Sequence, residues 1–270
     1  MLNVINRYCH GYVAVPVIIG LKAAGFFRFL SDAPVSLDTL IARHHANSGH
    51  LLVALRMLES ISWVKRVGPA QYAAGPRVND AKVVDDTIAK LYDQPSGSDF
   101  FSIHSAHYLN RLFANSEEGW GVDDEWFADF IDGPLYVPLL LHLRQHLFET
   151  GGGHAIRNVG VPVDCWLQMV RVFRTKEWVS SGDSDQMSLS QPGTYLMQRM
   201  MNAGTVYSYR PMLANVSELL FGTPASVFTY SQQGHEEHID RTMNVTASGF
   251  QHEKYFRDVD AIIALSLIHI

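Results

Sequence analysis

Two stretches of this chain read alike at a separation of 115 to 122 residues, and a duplicated unit constrains a fold more than any single motif does. Around Trp63 the sequence is LLVALRMLESISWVKRVGPAQYAAGPR, and around Trp178 it is WLQMVRVFRTKEWVSSGDSDQMSLSQPG. Each opens with an apolar stripe at helical spacing: Leu55, Leu58 and Ile61 in one, Leu167, Val170 and Phe173 in the other. Each then reaches a Trp-Val pair, a polar turn and a short strand-like segment. Upstream of each lies an apolar helix with an internal proline, GYVAVPVIIGLKAAGFFRFL with Pro16 and GPLYVPLLLHLRQHLFE with Pro138. Pro16 and Pro138 stand 122 apart and Trp63 and Trp178 115 apart, so a small deletion separates the copies. The order of helix, helix, turn, helix and two-stranded wing is that of a winged helix. The predicted fold is mainly α, with duplicated winged-helix-like units carrying short β wings.

The expected divisions are residues 1–78 for the first unit, 79–132 for an irregular and helical insert, 133–201 for the second unit and 202–263 for a linker and helix, with 264–270 as a tail of non-native character. In the first unit an opening helix spans Val17 to Leu30, and Ser36 or Asp38 starts a short helix with Leu37, Leu40 and Ile41 on one face. Asn47-Ser48-Gly49 turns into the helix of Leu51, Leu55 and Leu58. The wing is Trp63 to Val67, a turn at Gly68-Pro69, and Gln71 to Ala74. Phe26, Leu55, Leu58 and Trp63 are the expected core. Later, Asp123-Asp124-Glu125 suits the first turn of a helix holding Trp126, Phe127 and Phe130, because negative charge is favoured there.

A formal charge of −6 weighs against nucleic acid as a partner, since neutralising phosphates takes Lys and Arg. The segment that would enter a major groove, Ser48 to Ser60, offers only Arg56, and the second copy only Arg171, Arg174 and Lys176. The longest apolar run, Tyr12 to Leu21, is broken by Pro16 and is shorter than the ~20 residues a bilayer span needs. With no membrane span and no leader at the start, the expected location is cytoplasmic. Cys9 and Cys165 are far apart and suggest neither a disulfide scaffold nor a zinc site.

Gly151-Gly152-Gly153-His154 resembles a nucleotide loop but follows a helical pattern rather than a buried strand, so it reads as a helix stop and connector. His44 and His45 are adjacent and point about 100° apart on a helix, which places them on the winged-helix surface rather than around one ion. His104 with His107, and His142 with His146, have same-face spacing but no carboxylate in register. The richer group is Gln233, His235, His238, Gln251 and His252.

The run LKAAGFFRFL, then LDTLIARH, then LLVALRMLESISWVKRV resembles the N-terminal winged-helix domain of class I small-molecule O-methyltransferases. HEEHIDRTMNVTASGFQHEKYFRDVD, residues 235–260, is similar to the segment before the S-adenosylmethionine motif in loading-module methyltransferases of apratoxin- and saxitoxin-type bacterial polyketide synthases. The resemblance implies a helical lid with winged-helix elements before a Rossmann-like core that binds S-adenosylmethionine. In some members it implies Fe(II), and methylation of a malonyl-derived acyl group on an acyl carrier protein. That core is absent here, and the expectation is a chain cut short before the donor motif and inactive by itself.

His235 and His238, three apart, share a face if their segment is helical; they either ligate metal or face the acyl substrate from the lid, with Glu237 and Arg241 as an i,i+4 pair. Gln251 and His252 follow the flexible Thr246-Ala247-Ser248-Gly249 and are the candidate iron ligands that the resemblance suggests. Imidazole nitrogen and amide oxygen are suitable donors for Fe(II), and such a metal would polarise a β-dicarbonyl as a Lewis acid. Three readings follow: the lid of a C- or O-methyltransferase acting on a small-molecule or carrier-bound polyketide substrate; a non-catalytic homodimerisation or carrier-docking module; and a winged-helix transcriptional regulator.

Overall fold

The computed structural model describes residues 1–93, 106–149, 153–158 and 160–268. His104, Gly151, Gly152, the polar stretch at 95–98 and the final two residues lie outside them. In chain order the elements are α1 (Leu2–Ala23), α2 (Phe26–Phe29), β1 (Val35–Ser36), α3 (Leu37–His44), α4 (Ser48–Ser60), β2 (Val64–Gly68), β3 (Gln71–Ala74), α5 (Ala106–Glu117), α6 (Glu125–Glu149), β4 (Ala155–Arg157), α7 (Val163–Thr175), β5 (Val179–Gly182), β6 (Gln186–Leu189), α8 (Gln191–Arg199), α9 (Gly204–Tyr207), α10 (Arg210–Ala214), α11 (Val216–Phe221) and α12 (Arg241–Ile268). The protein is mainly helical. The sheets among the described residues are two antiparallel three-stranded ones, ordered β1-β3-β2 and β4-β6-β5, and no Rossmann-like core is formed there.

The wings correspond residue by residue. From α4 to the end of β3, the element bounds recur 115 positions later in α7, β5 and β6, except that β5 ends one residue sooner than β2. Ser62 and Glu177, neither of them glycine, both take left-handed backbone at φ 62° and 60°, a state that costs a side-chain-bearing residue roughly 1–2 kcal/mol. That turn lets the Trp63 N–H reach the Leu58 carbonyl (2.9 Å) and the Trp178 N–H reach the Phe173 carbonyl (2.8 Å). The tryptophan carbonyls then accept from Gly75 and Ser190, each at 2.9 Å. Both rings are buried, so a strained turn is balanced by the burial of a large apolar side chain at each wing base.

The deletion is also located. Val35 in β1 pairs with Tyr72 as Ile156 in β4 pairs with Met187, which places β1 and β4 121 apart. Six residues are therefore lost between the first strand and α7, where the first copy has α3. There Asn158 stands instead, its Oδ1 accepting from Val161 N–H at 2.9 Å and its backbone N–H donating to the Asp185 carbonyl at 2.7 Å.

The apolar face of α1 (Ile5, Tyr8, Tyr12, Val15, Ile18, Leu21) is buried, much of it against α6. By length and composition α1 could cross a membrane, but this face is covered by protein. The two helices run in opposite directions and meet backbone to backbone at Gly11 on Phe130 and Gly133 on Tyr8. Pro134 carries no N–H, so the Phe130 carbonyl has no donor four residues on and is left facing Gly11. Pro16 likewise frees the Tyr12 carbonyl, which accepts from Tyr92 Oη at 2.5 Å.

Several local expectations change. The opening helix starts at Leu2, not Val17, and breaks at Gly25 (φ 72°) before α2. The acidic turn at Asp124 does cap a helix, with its Oδ1 accepting from Trp126 and Phe127 N–H. That helix does not stop at Asp132: α6 continues through Gly133 and Pro134, because the glycine serves close packing. Thr246 to Gly249 are not a flexible lead-in but lie inside α12. His44 is half-buried rather than fully on the surface; its ring sits 5.4 Å from Phe26 and 5.8 Å from Phe29, and its Nε2 is buried without a hydrogen-bond partner.

Candidate functional site

The candidate region is the first half of α12 and the turns before it. Asp240 caps the helix, accepting from Met243 N–H at 2.9 Å, while its own N–H donates to the carbonyl of buried Ser208 at 2.8 Å. Asn244 Nδ2 donates to Ser208 Oγ at 3.0 Å. Ala247 is buried against Gly204, where an added Cβ would stand 2.7 Å from that of Ala247. One face of α12 is thus tied to α9. Beside it, a cleft of about 530 Å³ is lined by Leu141, Arg144, Asp240, Thr242, Met243 and Thr246. The guanidinium of Arg144 stacks 5.5 Å from the Phe250 ring, and burial pulls its pKa below the usual value.

None of the four residues expected from sequence lines this cleft. His235 and His238 do not share a helix face, because residues 235–240 are turns anchored by the Ser231 N–H to His235 carbonyl bond (2.8 Å). His235 is exposed; His238 packs edge-on to Phe228 at 5.1 Å, with Nδ1 buried and unbonded. The expected Glu237–Arg241 pair is replaced by Glu236–Arg241, while Glu237 accepts from Thr229 Oγ1 at 2.7 Å. Helical i,i+4 spacing does not apply where the backbone turns. Arg241 and a neighbouring His238 hold the Glu236 carboxyl below its ordinary pKa.

Gln251 and His252 are exposed on α12. Gln251 Nε2 donates to the Asn202 carbonyl (2.8 Å) and Thr205 Oγ1 (3.2 Å), and His252 Nδ1 bonds the Ser248 carbonyl (2.7 Å). Adjacent helix positions direct them about 100° apart. Among the described residues no group of three His, Cys, Asp or Glu could hold a metal ion.

A buried polar network lies beneath the second wing, and the sequence had no signal for it beyond isolated charges. Asp132 accepts from Trp120 Nε1 at 2.9 Å and from Lys176 Nζ at 2.8 Å, and Lys176 also lies over the Tyr136 and Trp178 rings. Burial raises the Asp132 pKa against the pull of Lys176. Next to it, Arg7 bonds Asp129 at 2.9 Å. Arg171 bonds Glu117 at 2.8 Å and Arg174 donates to the Gly182 carbonyl at 3.5 Å, so all three cations of the second copy are engaged within the fold. Helix α5 lies along α7, the helix that a DNA-binding winged helix would present.

Fold and site together define a duplicated winged-helix protein with an appended long helix. Three family descriptions match it: the AprA N-terminal domain over residues 1–66, the AprA winged helix domain over 132–223, and the AprA MT2-like domain over 236–267. In these parts the chain is AprA-like, an N-terminal and winged-helix region of the apratoxin methyltransferase type followed by an MT2-like segment, and so a methyltransferase-related module. No curated protein matches the chain.

Proposed function

We propose that this chain is the lid-forming, substrate-side part of an S-adenosylmethionine-dependent methyltransferase that acts on a small or carrier-bound acyl group. The observation that carries the reading is the coincidence of the MT2-like match, 236–267, with α12. Its first half is docked on the winged-helix body, and from Gln251 to Ala264 it stands almost wholly exposed. A rigid helix fixed at one end is a suitable coupling between a lid and a catalytic domain.

S-adenosylmethionine does not fit the described residues, which form no parallel strand, glycine loop and helix. Iron fits poorly as well: Gln251 and His252 contribute two divergent donors, each already held by the backbone. The regulator reading is disfavoured by the covered α7 and the neutralised Arg171 and Lys176.

Binding of labelled S-adenosylmethionine tests the proposal on the 270-residue chain and on the same chain joined after residue 267 to a complete MT2-like domain. Binding is expected only in the second, and methylation of an acyl carrier should then depend on residues 1–223. Donor binding by the 270-residue chain, or full activity without residues 1–223, overturns it. Iron content of the joined protein with Gln251→Ala and His252→Ala decides the metal role separately.

A further inference from the structure

His142 and His146 stand one turn apart on α6, and the structure turns their same-face spacing into a direct contact. A helix puts residues i and i+4 side by side, and here the two Nε2 atoms come to 3.2 Å with the ring planes 80° apart. Between two neutral imidazoles, that contact needs one ring to carry its hydrogen on Nε2 and the other on Nδ1. The same separation suits a chelate. With metal–nitrogen bonds of about 2.0–2.1 Å, two nitrogens lie about 3.3–3.4 Å apart at the tetrahedral angle and about 2.9 Å apart at a right angle. The observed 3.2 Å falls between the two.

The surroundings suit a cation as well. Leu139, Leu143 and Leu147 are buried, so packing fixes the stretch of helix that carries both rings and preorganises the pair. His146 lies in the last turn of this 25-residue helix, where the negative end of the helix dipole favours positive charge. Both histidines are half-buried rather than enclosed, so water can reach an ion held between them. Among the described residues no third His, Cys, Asp or Glu joins the pair, which makes two imidazoles and water the ligand set. Imidazole suits zinc, copper and nickel, whereas calcium and magnesium take oxygen ligands.

We propose that His142 and His146 form a chelating site for one late first-row divalent cation, bound through both Nε2 atoms. Both rings then carry their hydrogen on Nδ1, so binding to the neutral pair changes one ring's tautomer and releases no net proton. The inference is independent of the methyltransferase reading, because its test needs no catalytic domain.

Calorimetric titration of the 270-residue chain with zinc chloride is expected to show one ion bound per chain. His142→Gln and His146→Gln should each weaken that binding by at least about tenfold. His45→Gln and His235→Gln, at exposed positions elsewhere, should leave it unchanged. Nitrogen-15 NMR of the histidine side chains in the parent gives a readout that does not depend on how the variants fold: zinc should shift Nε2 in two rings and leave both as Nδ1–H tautomers. A parent chain with no one-to-one zinc site overturns the proposal. So does binding that either His142→Gln or His146→Gln retains in full, or binding that His45→Gln or His235→Gln abolishes, since each places the ion elsewhere.

Discussion

Gly11 and Gly133, 122 positions apart, do the same work on opposite sides of one contact. Gly11 lies on the carbonyl of Phe130 and Gly133 on the carbonyl of Tyr8, and Tyr8 and Phe130 are themselves 122 apart. Exchanging the two helices maps one contact onto the other, so the repeat units meet as a C2 dimer's subunits do, within one chain. The wings follow suit: Trp63 packs on Phe127 of α6, and Trp178 packs on Tyr8 of α1.

A methyl group at either glycine has no room. A Cβ at Gly11 would stand 1.6 Å from the Phe130 carbonyl oxygen, and at Gly133 2.2 Å from that of Tyr8. Gly11→Ala and Gly133→Ala should each destabilise the protein by about 3 kcal/mol or more in urea melts, the upper range for overpacking. Gly249→Ala, where an added Cβ meets nothing within 4 Å and the site is helical, should instead stabilise by about 0.5–1 kcal/mol.

Asp132 and Lys176 should behave as a unit. Asp132→Asn leaves the partly buried Lys176 ammonium without its counter-charge and is expected to cost up to about 3–5 kcal/mol, whereas adding Lys176→Met should recover most of the loss. Equilibrium unfolding of the two singles and the double variant gives the coupling. Additive losses would mean that the pair is not energetically linked.

Leu58 and Phe173 are equivalent and both fully buried below their wings. Leu58→Ala should cost about 2–5 kcal/mol and Phe173→Ala about 3–5 kcal/mol. Because the two halves share the α1–α6 contact, tryptophan fluorescence and circular dichroism should report one coincident transition in each variant. Separate transitions would show the units unfolding independently.

His44 should make the first unit sensitive to acid. Burial beside Phe26 and Phe29 lowers its pKa from 6.5, partly opposed by a hydrogen bond to the Ala24 backbone. The unfolded chain therefore binds the proton more readily, and stability present above pH 6.5 is lost as pH falls toward the lowered folded value. Melting temperature against pH from 7.5 to 5 should drop less steeply in His44→Gln than in the parent. Equal slopes would remove His44 from the acid response.

The repeat, the wings and the starts of α3, α4 and α6 were legible in the sequence because each rests on neighbouring residues. Apolar spacing places Leu55 and Leu58 on one face, Ser36 accepts from Thr39 N–H as a cap, and each Trp-Val pair opens a strand. The same local logic failed at Gly133, which resembles a boundary but lies inside α6, and at Glu237, whose pairing required a helix that the chain does not form there. Gln251 and His252 were singled out by resemblance, and their spacing carried no information about the groups around them. What only the tertiary structure decided is what distant segments do to one another: which carbonyl faces Gly11, which carboxylate the Lys176 ammonium meets, and which rings flank His44. Local periodicity is a property of consecutive side chains, whereas desolvation and close packing depend on which surface arrives opposite, and that is set by the fold as a whole.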